Sequence, residues 1–297
     1  MTTNSQNAGN RNSIQTAEGA QTARAAQDDR SMVLVVGGTG KTGRRVADRL
    51  AARGRTVRIG SRAADVPFDW NDETTWEAAL EGVGAAYLTY YPDLAFPGAV
   101  ESVGAFARLA ARRGVAKLVL LSGRGEEAAE AGEKVVMEAG ARWTVVRCAW
   151  FDQNFSESFF LDPVRAGELA LPVGDAVEPF VDADDIADVV VAALTEDGHD
   201  GEVYELTGPR LLSYADVAAE LSRATGREVR FVPVSVEEYR AVLAREGLPG
   251  DFAELFSMIL DGRNAHTADG VRRALGREPR DFADFAREAA AAGVWEV

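Results

Sequence analysis

The sequence predicts an α/β fold, a doubly wound parallel sheet with a smaller, mostly helical C-terminal lobe. Three observations predict it. Short apolar, β-branched runs alternate with helical patterns through the first half of the chain. A glycine-rich turn from Gly37 to Gly43 joins the first run to the first helix. Beyond about Trp150 the pattern becomes mostly helical. Repeated strand–helix alternation produces right-handed crossovers, and these build parallel sheets.

The elements follow in order. Residues 33–36 form a continuous apolar run, as expected of a strand buried on both faces. A helix over 40–53 places Val46 and Leu50 on one face and ends at Gly54. Residues 56–60 read as a second strand and 66–68 as a third. A short helix over 72–80 turns Trp76, Ala79 and Leu80 inward, and 85–90 is the fourth strand. Pro97 suits a first helical position. After it Val100, Val103, Phe106 and Leu109 form a stripe that ends at Gly114. Strands over 117–122 and 143–148 flank a helix over 126–139. Asp184 or Asp185 starts a helix bearing Ile186, Val189, Val190 and Leu194, and 203–206 reads as a strand returning to the first sheet. The expected organisation is therefore a sheet domain over 32–150 interleaved with a lobe over 151–297. In that lobe, helices are expected over 213–225, 235–246, 251–261 and 281–292, with a strand over 229–232. Ser235 and Glu238 have capping-box spacing.

Composition narrows the function. The 297 residues are 46% hydrophobic, enough to build a sizeable core. Asp and Glu exceed Lys and Arg by 47 to 32, giving a formal charge of −15. Such a surface repels phosphate backbones and anionic lipid, so neither nucleic acid nor membrane is an expected partner. Cys148 is the only cysteine, which excludes an intrachain disulfide framework. No apolar run approaches the roughly 20 residues of a membrane span. Residues 1–31 are polar, lack the apolar centre of a secretory signal, and read as a disordered extension. Met32 is an alternative start, and the cytoplasm is the expected location. The expected partner is a small molecule, bound by a monomer or homodimer.

Gly37, Gly40 and Gly43 give G-x-x-G-x-x-G between a strand and a helix. In a dinucleotide-binding turn of the Rossmann type, the first glycine makes the tight turn. The second lets the backbone approach the pyrophosphate, and the third lets helix pack on strand. The helix N-terminus then meets the phosphates with free N–H groups and the positive end of its dipole. Thr39, Lys41 and Thr42 complete the candidate contacts. Gly40-Lys41-Thr42 also matches the end of a P-loop, but that motif needs another glycine five positions earlier. Val35 stands there, in mid-strand. At the end of the second strand, Ser61 and Arg62 replace the carboxylate that would bind an NAD ribose. A guanidinium pairs well with a 2′-phosphate, and Lys41 adds charge, so NADP(H) is expected over NAD(H). Asp69 either meets the adenine amino group or caps the helix after it.

These residues, with Trp143-Thr144-Val145-Val146-Arg147, Trp150-Phe151, Asn154-Phe155, Pro179-Phe180-Val181-Asp182 and Tyr204-Glu205-Leu206-Thr207-Gly208-Pro209, give a chain that resembles the NmrA-like atypical short-chain dehydrogenases/reductases. The closing Gly276-Arg277-Glu278-Pro279-Arg280 with Phe282 and Phe285 fits too. The resemblance is greatest to the branch of ergot-alkaloid-type and bacterial NAD(P)H-dependent reductases, and it covers nearly all of 32–297. It implies a nicotinamide dinucleotide, a seven-stranded sheet and a small C-terminal substrate lobe. Some relatives resemble redox sensors that bind the dinucleotide without turnover.

The resemblance also directs the search for catalytic groups. Classical members of the wider superfamily use Tyr-x-x-x-Lys. Here Lys134 is the candidate lysine, but Glu130 stands in place of the tyrosine. Ser122 ends a strand where ligands approach open α/β sheets, or caps that strand. Tyr90 is a candidate proton donor or carbonyl-polarising group, or a wall of the pocket. Tyr91, Trp150, Phe151, Asn154 and Phe155 are candidate pocket residues, with Asn154 orienting substrate or tying down its loop. Glu133 reads as solvated or helix-positioning. His199 and His266 are isolated, and no cluster has metal-ligand spacing. The expected function is an NADPH-dependent reductase of a small apolar or aromatic electrophile. A dinucleotide-sensing regulator and a redox-neutral epimerase or isomerase are the alternatives.

Overall fold

The computed structural model describes residues 32–245 and 261–296. The expected extension over 1–31 and nearly all of the helix expected over 251–261 lie outside them. The central sheet comprises β1 (Met32–Val36), β2 (Val57–Gly60), β3 (Val83–Leu88), β4 (Lys117–Gly123), β5 (Arg142–Cys148) and β8 (Glu202–Leu206). Its order is β2-β1-β3-β4-β5-β8, and every pairing is parallel. β8 thus lies beside β5, with Val145 opposite Val203, although the lobe segment lies between them in sequence.

Strand alternation sorts the core into two layers. Val33 and Val35 face one side, with Val46 and Leu50 of α1 (Lys41–Ala52) and Ile186, Val189 and Val190 of α7 (Ala183–Thr195). Leu34 and Val36 face the other, with Val103 and Phe106 of α3 (Ala99–Arg112) and Val136 of α4 (Glu127–Met137). α3 begins two residues after Pro97, because Gly98 intervenes in the left-handed conformation at φ 84°. Asp182, rather than Asp184 or Asp185, caps α7 by accepting from the Asp184 N–H.

Among the described residues the sheet has six strands, against the seven implied by resemblance. Residues 66–68 are not a strand. The Phe68 N–H donates to the Ser61 carbonyl, folding the segment back on the end of β2. Pro67 has no N–H to offer a neighbouring strand. Phe68 is nevertheless buried, edge-on to Trp70 and Phe106. A 3-10 turn (Glu73–Thr75) and α2 (Trp76–Ala79) follow.

The lobe has its own core, built on Phe155, Phe160, Phe180, Tyr214, Phe282 and Trp295. Its elements are α5 (Asn154–Glu157), α6 (Leu161–Ala166), β6 (Glu168–Leu171), β7 (Val177–Glu178), β9 (Leu212–Ser213), α8 (Tyr214–Thr225), β10 (Arg230–Pro233), α9 (Val236–Arg245) and α11 (Phe282–Ala291), whereas α10 (Gly270–Leu275) packs back on the sheet domain. β6 pairs in parallel with β10, and β7 antiparallel with β9. Ser213 with Asp216 and Ser235 with Glu238 form reciprocal caps. α10 packs tightly on β8, since a Cβ at Gly270 would lie 2.2 Å from the Glu205 carbonyl oxygen.

Candidate active site

The glycine turn is held from two sides. Gly37 has φ 68°, and a Cβ there would lie 2.2 Å from Thr89 Oγ1, which itself donates to the Val36 carbonyl at 3.0 Å. A Cβ at Gly43 would lie 2.1 Å from the Gly37 carbonyl oxygen, so α1 sits directly on the turn. At Gly40 an added Cβ meets only the Gly37 carbonyl oxygen, at 3.2 Å. Gly40 is the N-cap of α1, and no side chain caps the helix. Its first turn has no acidic residue. Thr39 and Gly40 are exposed. The end of α1 thus suits a pyrophosphate, to which it presents backbone N–H groups without a competing anion.

The other turn residues divide by role. Thr42 is buried, and its Oγ1 accepts from the Tyr87 hydroxyl at 3.0 Å, pinning α1 to β3. Lys41 turns toward the lobe and donates from Nζ to Asn154 Oδ1 at 3.0 Å. Burial lowers its pKa, opposed by nearby Glu157. Ser61 is half-buried and Arg62 exposed at the end of β2, and among the described residues Arg62 has no ion-pair partner. Asp69 serves its own loop. Its Oδ1 accepts from the Asn71 N–H, while its carbonyl accepts from Trp76 Nε1.

An ion-pair lattice, missed in the sequence, ties α1 to α5 of the lobe and to α7, its neighbour on the same face of the sheet. Arg44 and Arg45 pair with Glu157 of α5. Arg45 and Arg49 pair with Asp184, and Arg49 also with Asp188, of α7. Arg277 and Arg280 reach Asp185 and Asp188 from beyond α10. The signal was present as arginines four and five apart on one helix and aspartates four apart on another.

The candidate catalytic residues do not converge. Ser122 is buried and donates to Glu133 Oε1 at 2.6 Å. Glu133 is not solvated; it is 2% exposed and paired with Arg147 of β5 at 2.5 Å. Arg147 in turn reaches Glu205 of β8 at 3.0 Å. Each helical residue turns about 100° from the last, so Glu133 faces the sheet and Lys134 is exposed to solvent. Tyr90 is half-buried against Trp70, 5.3 Å between ring centroids.

The expected pocket residues also separate. Tyr91 is 83% exposed and precedes a cis peptide bond to Pro92. Phe155 is fully buried in the lobe core, stacked on Phe160 and edge-on to Phe180 and Phe282. It belongs to packing, not to a pocket wall. Trp150 and Phe151 remain partly accessible where the chain leaves β5. Trp150 stands edge-on to Phe159, and Phe151 bridges to Val181. Gln153, unremarked in the sequence, is buried. It donates to Asp182 Oδ1 and accepts from the Ala183 N–H, which fixes the loop after β5 to the start of α7.

Five side chains among the described residues carry buried polar atoms with no protein partner: Arg124, Glu126, Asp152, Glu178 and Tyr214. Arg124 and Glu126 follow β4, Asp152 follows β5, and Glu178 and Tyr214 come from the lobe. Burial pushes Glu178 up to about 7, against the pull of Arg124. Burial, with Asp182, Asp185 and Asp281 nearby, pushes Asp152 far above the usual carboxylate range. Burial and its neighbour Asp93 push Glu126 up to about 8. Buried polar groups without partners are uncommon in folded chains and draw attention to sites of function.

No family model matches the chain. Among the described residues, no helix is long and apolar enough to cross a membrane. The NAD(P)H azoreductase of Xenophilus azovorans is 33% identical over 288 residues, covering 88% of this chain and 99% of the relative. The agroclavine dehydrogenase of Claviceps fusiformis is 32% identical over 280 residues, covering 85% and 95%. The crystal structure of NmrA, a negative transcriptional regulator, in complex with NAD matches with a TM-score of 0.67 at 19% identity. The match covers 91% of this chain and all of that one. The chain belongs to the NmrA-like family of atypical short-chain dehydrogenases/reductases, and it is an oxidoreductase that uses a nicotinamide cofactor.

Proposed function

We propose that the protein is an NADPH-dependent reductase of a small apolar or aromatic electrophile: an imine, quinone, enone or activated carbonyl. The carrying observation is the uncapped, acid-free start of α1 at Gly40, held on the glycine turn at the carboxyl end of β1, with β3 beside it and β4 and β5 beyond. Ligands of open α/β sheets bind outside these strand ends. When bound, the reduced nicotinamide supplies hydride. Gly37, Gly40 and Gly43 leave backbone room for the pyrophosphate, and Arg62 with Ser61 receives the 2′-phosphate. Trp150 and Phe151 offer apolar surface where the chain leaves the sheet, and exclude water from the acceptor. Similarity to an azoreductase and to an agroclavine dehydrogenase supports nitrogen-containing, conjugated acceptors.

The test is NADPH oxidation, followed by absorbance, with azo dyes, quinones, enones and cyclic imines. Turnover of at least one acceptor is expected. Tight NADPH binding with no oxidation by any of them would overturn the reductase reading in favour of a dinucleotide sensor.

A further inference from the structure

Hydride transfer to an uncharged acceptor leaves negative charge on the far atom of its double bond, and a fixed donor stabilises that charge. The usual tyrosine is replaced by Glu130, but the residue that follows β4 supplies a donor. The Arg124 backbone N–H donates to the carbonyl of Cys148, the last residue of β5, at 3.1 Å. Arg124 thus stands at the carboxyl ends of two neighbouring central strands, where ligands of open α/β sheets bind. Trp150 and Phe151, the apolar surface offered to the acceptor, follow Cys148 by two and three residues.

The guanidinium is held on two edges and unmet on the third. Arg124 is 4% exposed. Its Nη1 donates to the Asn264 carbonyl at 3.2 Å, and Asn264 Nδ2 returns a bond to the Arg124 carbonyl at 3.1 Å. Its Nε faces Glu205 Oε2 at 3.5 Å. Glu205 Oε1 is taken by Arg147 at 3.0 Å, and Arg147 also grips Glu133, which accepts from Ser122. These neighbours are therefore engaged. Nη2 is buried and has no partner. Glu178 feels the Arg124 charge, yet its Oε2 is buried and unpartnered as well.

A guanidinium keeps its protons in a protein, so Nη2 is a permanent donor. The planar fork, held at Nε and Nη1, fixes the direction of Nη2. A buried donor without an acceptor is costly, and a lone pair on a ligand removes that cost.

We propose that Arg124 is a catalytic residue whose Nη2–H meets the accepting atom of the substrate, and that it selects uncharged acceptors with a lone pair there, a quinone or enone oxygen or an azo nitrogen, over iminium cations. This rests on the reductase reading. When the β-carbon of an enone takes hydride from the reduced dinucleotide, its C=C π pair shifts to form an enolate. The enolate oxygen accepts from Arg124 Nη2, and the α-carbon then takes a proton from water. The product is the saturated ketone, the dinucleotide is oxidised, and Arg124 keeps its proton throughout. An N-alkyl iminium nitrogen has no lone pair, and hydride addition discharges it, so Arg124 gives it nothing.

Loss of the Asn264 and Glu205 contacts would slow every acceptor alike, whereas loss of the Nη2 donor slows only acceptors that use it. R124Q is therefore expected to slow NADPH-dependent reduction of cyclohexenone, menadione or an uncharged azo dye at least about 100-fold more than reduction of an N-methyl dihydroisoquinolinium salt, the low end for removing one such donor. Equal losses, or a wild type that reduces the cation alone, would overturn the proposal. A second readout needs no turnover. Para-nitrophenolate, an oxyanion probe followed by its visible absorbance in the presence of NADP+, should bind wild type at least about tenfold more tightly than R124Q. Equal binding, or none, overturns the donor role, including where only uncharged acceptors are reduced. Should R124Q not fold, R124K, which keeps the charge but loses the fork, carries both comparisons, with a loss of at least about tenfold expected. Phenolate binding by a protein that reduces no acceptor would overturn the reductase reading, and the catalytic role with it.

Discussion

Lys41, the first residue of α1, donates a 3.0 Å hydrogen bond to Asn154 across 113 residues of sequence. The bond joins the dinucleotide turn to the segment that opens the lobe. Asn154→Ala would leave a largely buried ammonium group without that acceptor. The expected cost is about 1.5–3 kcal/mol, the range for a hydrogen bond to a charged group. Urea unfolding measures it, and NADPH titration of the same variant should show weaker binding. Asn154→Asp should instead raise the Lys41 pKa by adding an opposite charge.

Gly43→Ala tests the closeness of α1 to the turn. The new methyl would meet the Gly37 carbonyl oxygen at 2.1 Å, and a backbone atom cannot rotate away. The helix must shift, at roughly 1–3 kcal/mol. Dinucleotide affinity, followed by fluorescence titration, should fall at least tenfold. Unchanged affinity would show that the start of α1 does not contact the cofactor.

Arg62→Ala tests cofactor choice. Arg62 is exposed beyond β2 with no ion-pair partner among the described residues, so its removal should cost little stability. NADPH binding should weaken at least tenfold more than NADH binding, because only the former has a 2′-phosphate to pair with a guanidinium. Equal losses would refute the preference.

Glu178 gives a pH-dependent stability. Its folded value is raised to about 7 from 4.5, mainly by burial. A raised acid favours folding while both states are protonated. The benefit is intact below about 4.5 and is lost as pH climbs to about 7, while the unfolded chain ionises and the folded one resists. Glu178→Gln should therefore stabilise the protein at pH 8, by up to about 3 kcal/mol at 1.4 kcal/mol per unit, and much less at pH 5. Urea midpoints at the two pH values measure the difference.

Much of the sheet was legible because parallel central strands carry unbroken apolar runs and end in glycine turns. β1 and β4 read this way, whereas β5 and β8 carry shorter apolar stretches interrupted by Arg147 and Glu205. The segment over 66–68 has a similar apolar look, but its burial comes from Phe68 packing beneath a folded-back loop. Local composition does not separate those two kinds of burial. Aromatic density after β5 likewise pointed to a pocket, yet Phe155 is core and Phe151 partly accessible. On α4 a single residue divides buried Glu133 from exposed Lys134, and the superfamily pattern drew the reading to the exposed one.

The return of β8 to the side of β5 also governs how the chain can be divided. A fragment ending near Trp150 would keep every strand through β5 but lose its neighbour. Five residues of β5, from Thr144 to Cys148, would then present unpaired backbone groups. Val145 and Val146 would lose cover from Val203 and Tyr204. A bare, apolar strand edge recruits other chains. The first half is thus expected to associate with itself when expressed alone, so the late return of β8 acts as a guard on that edge of β5.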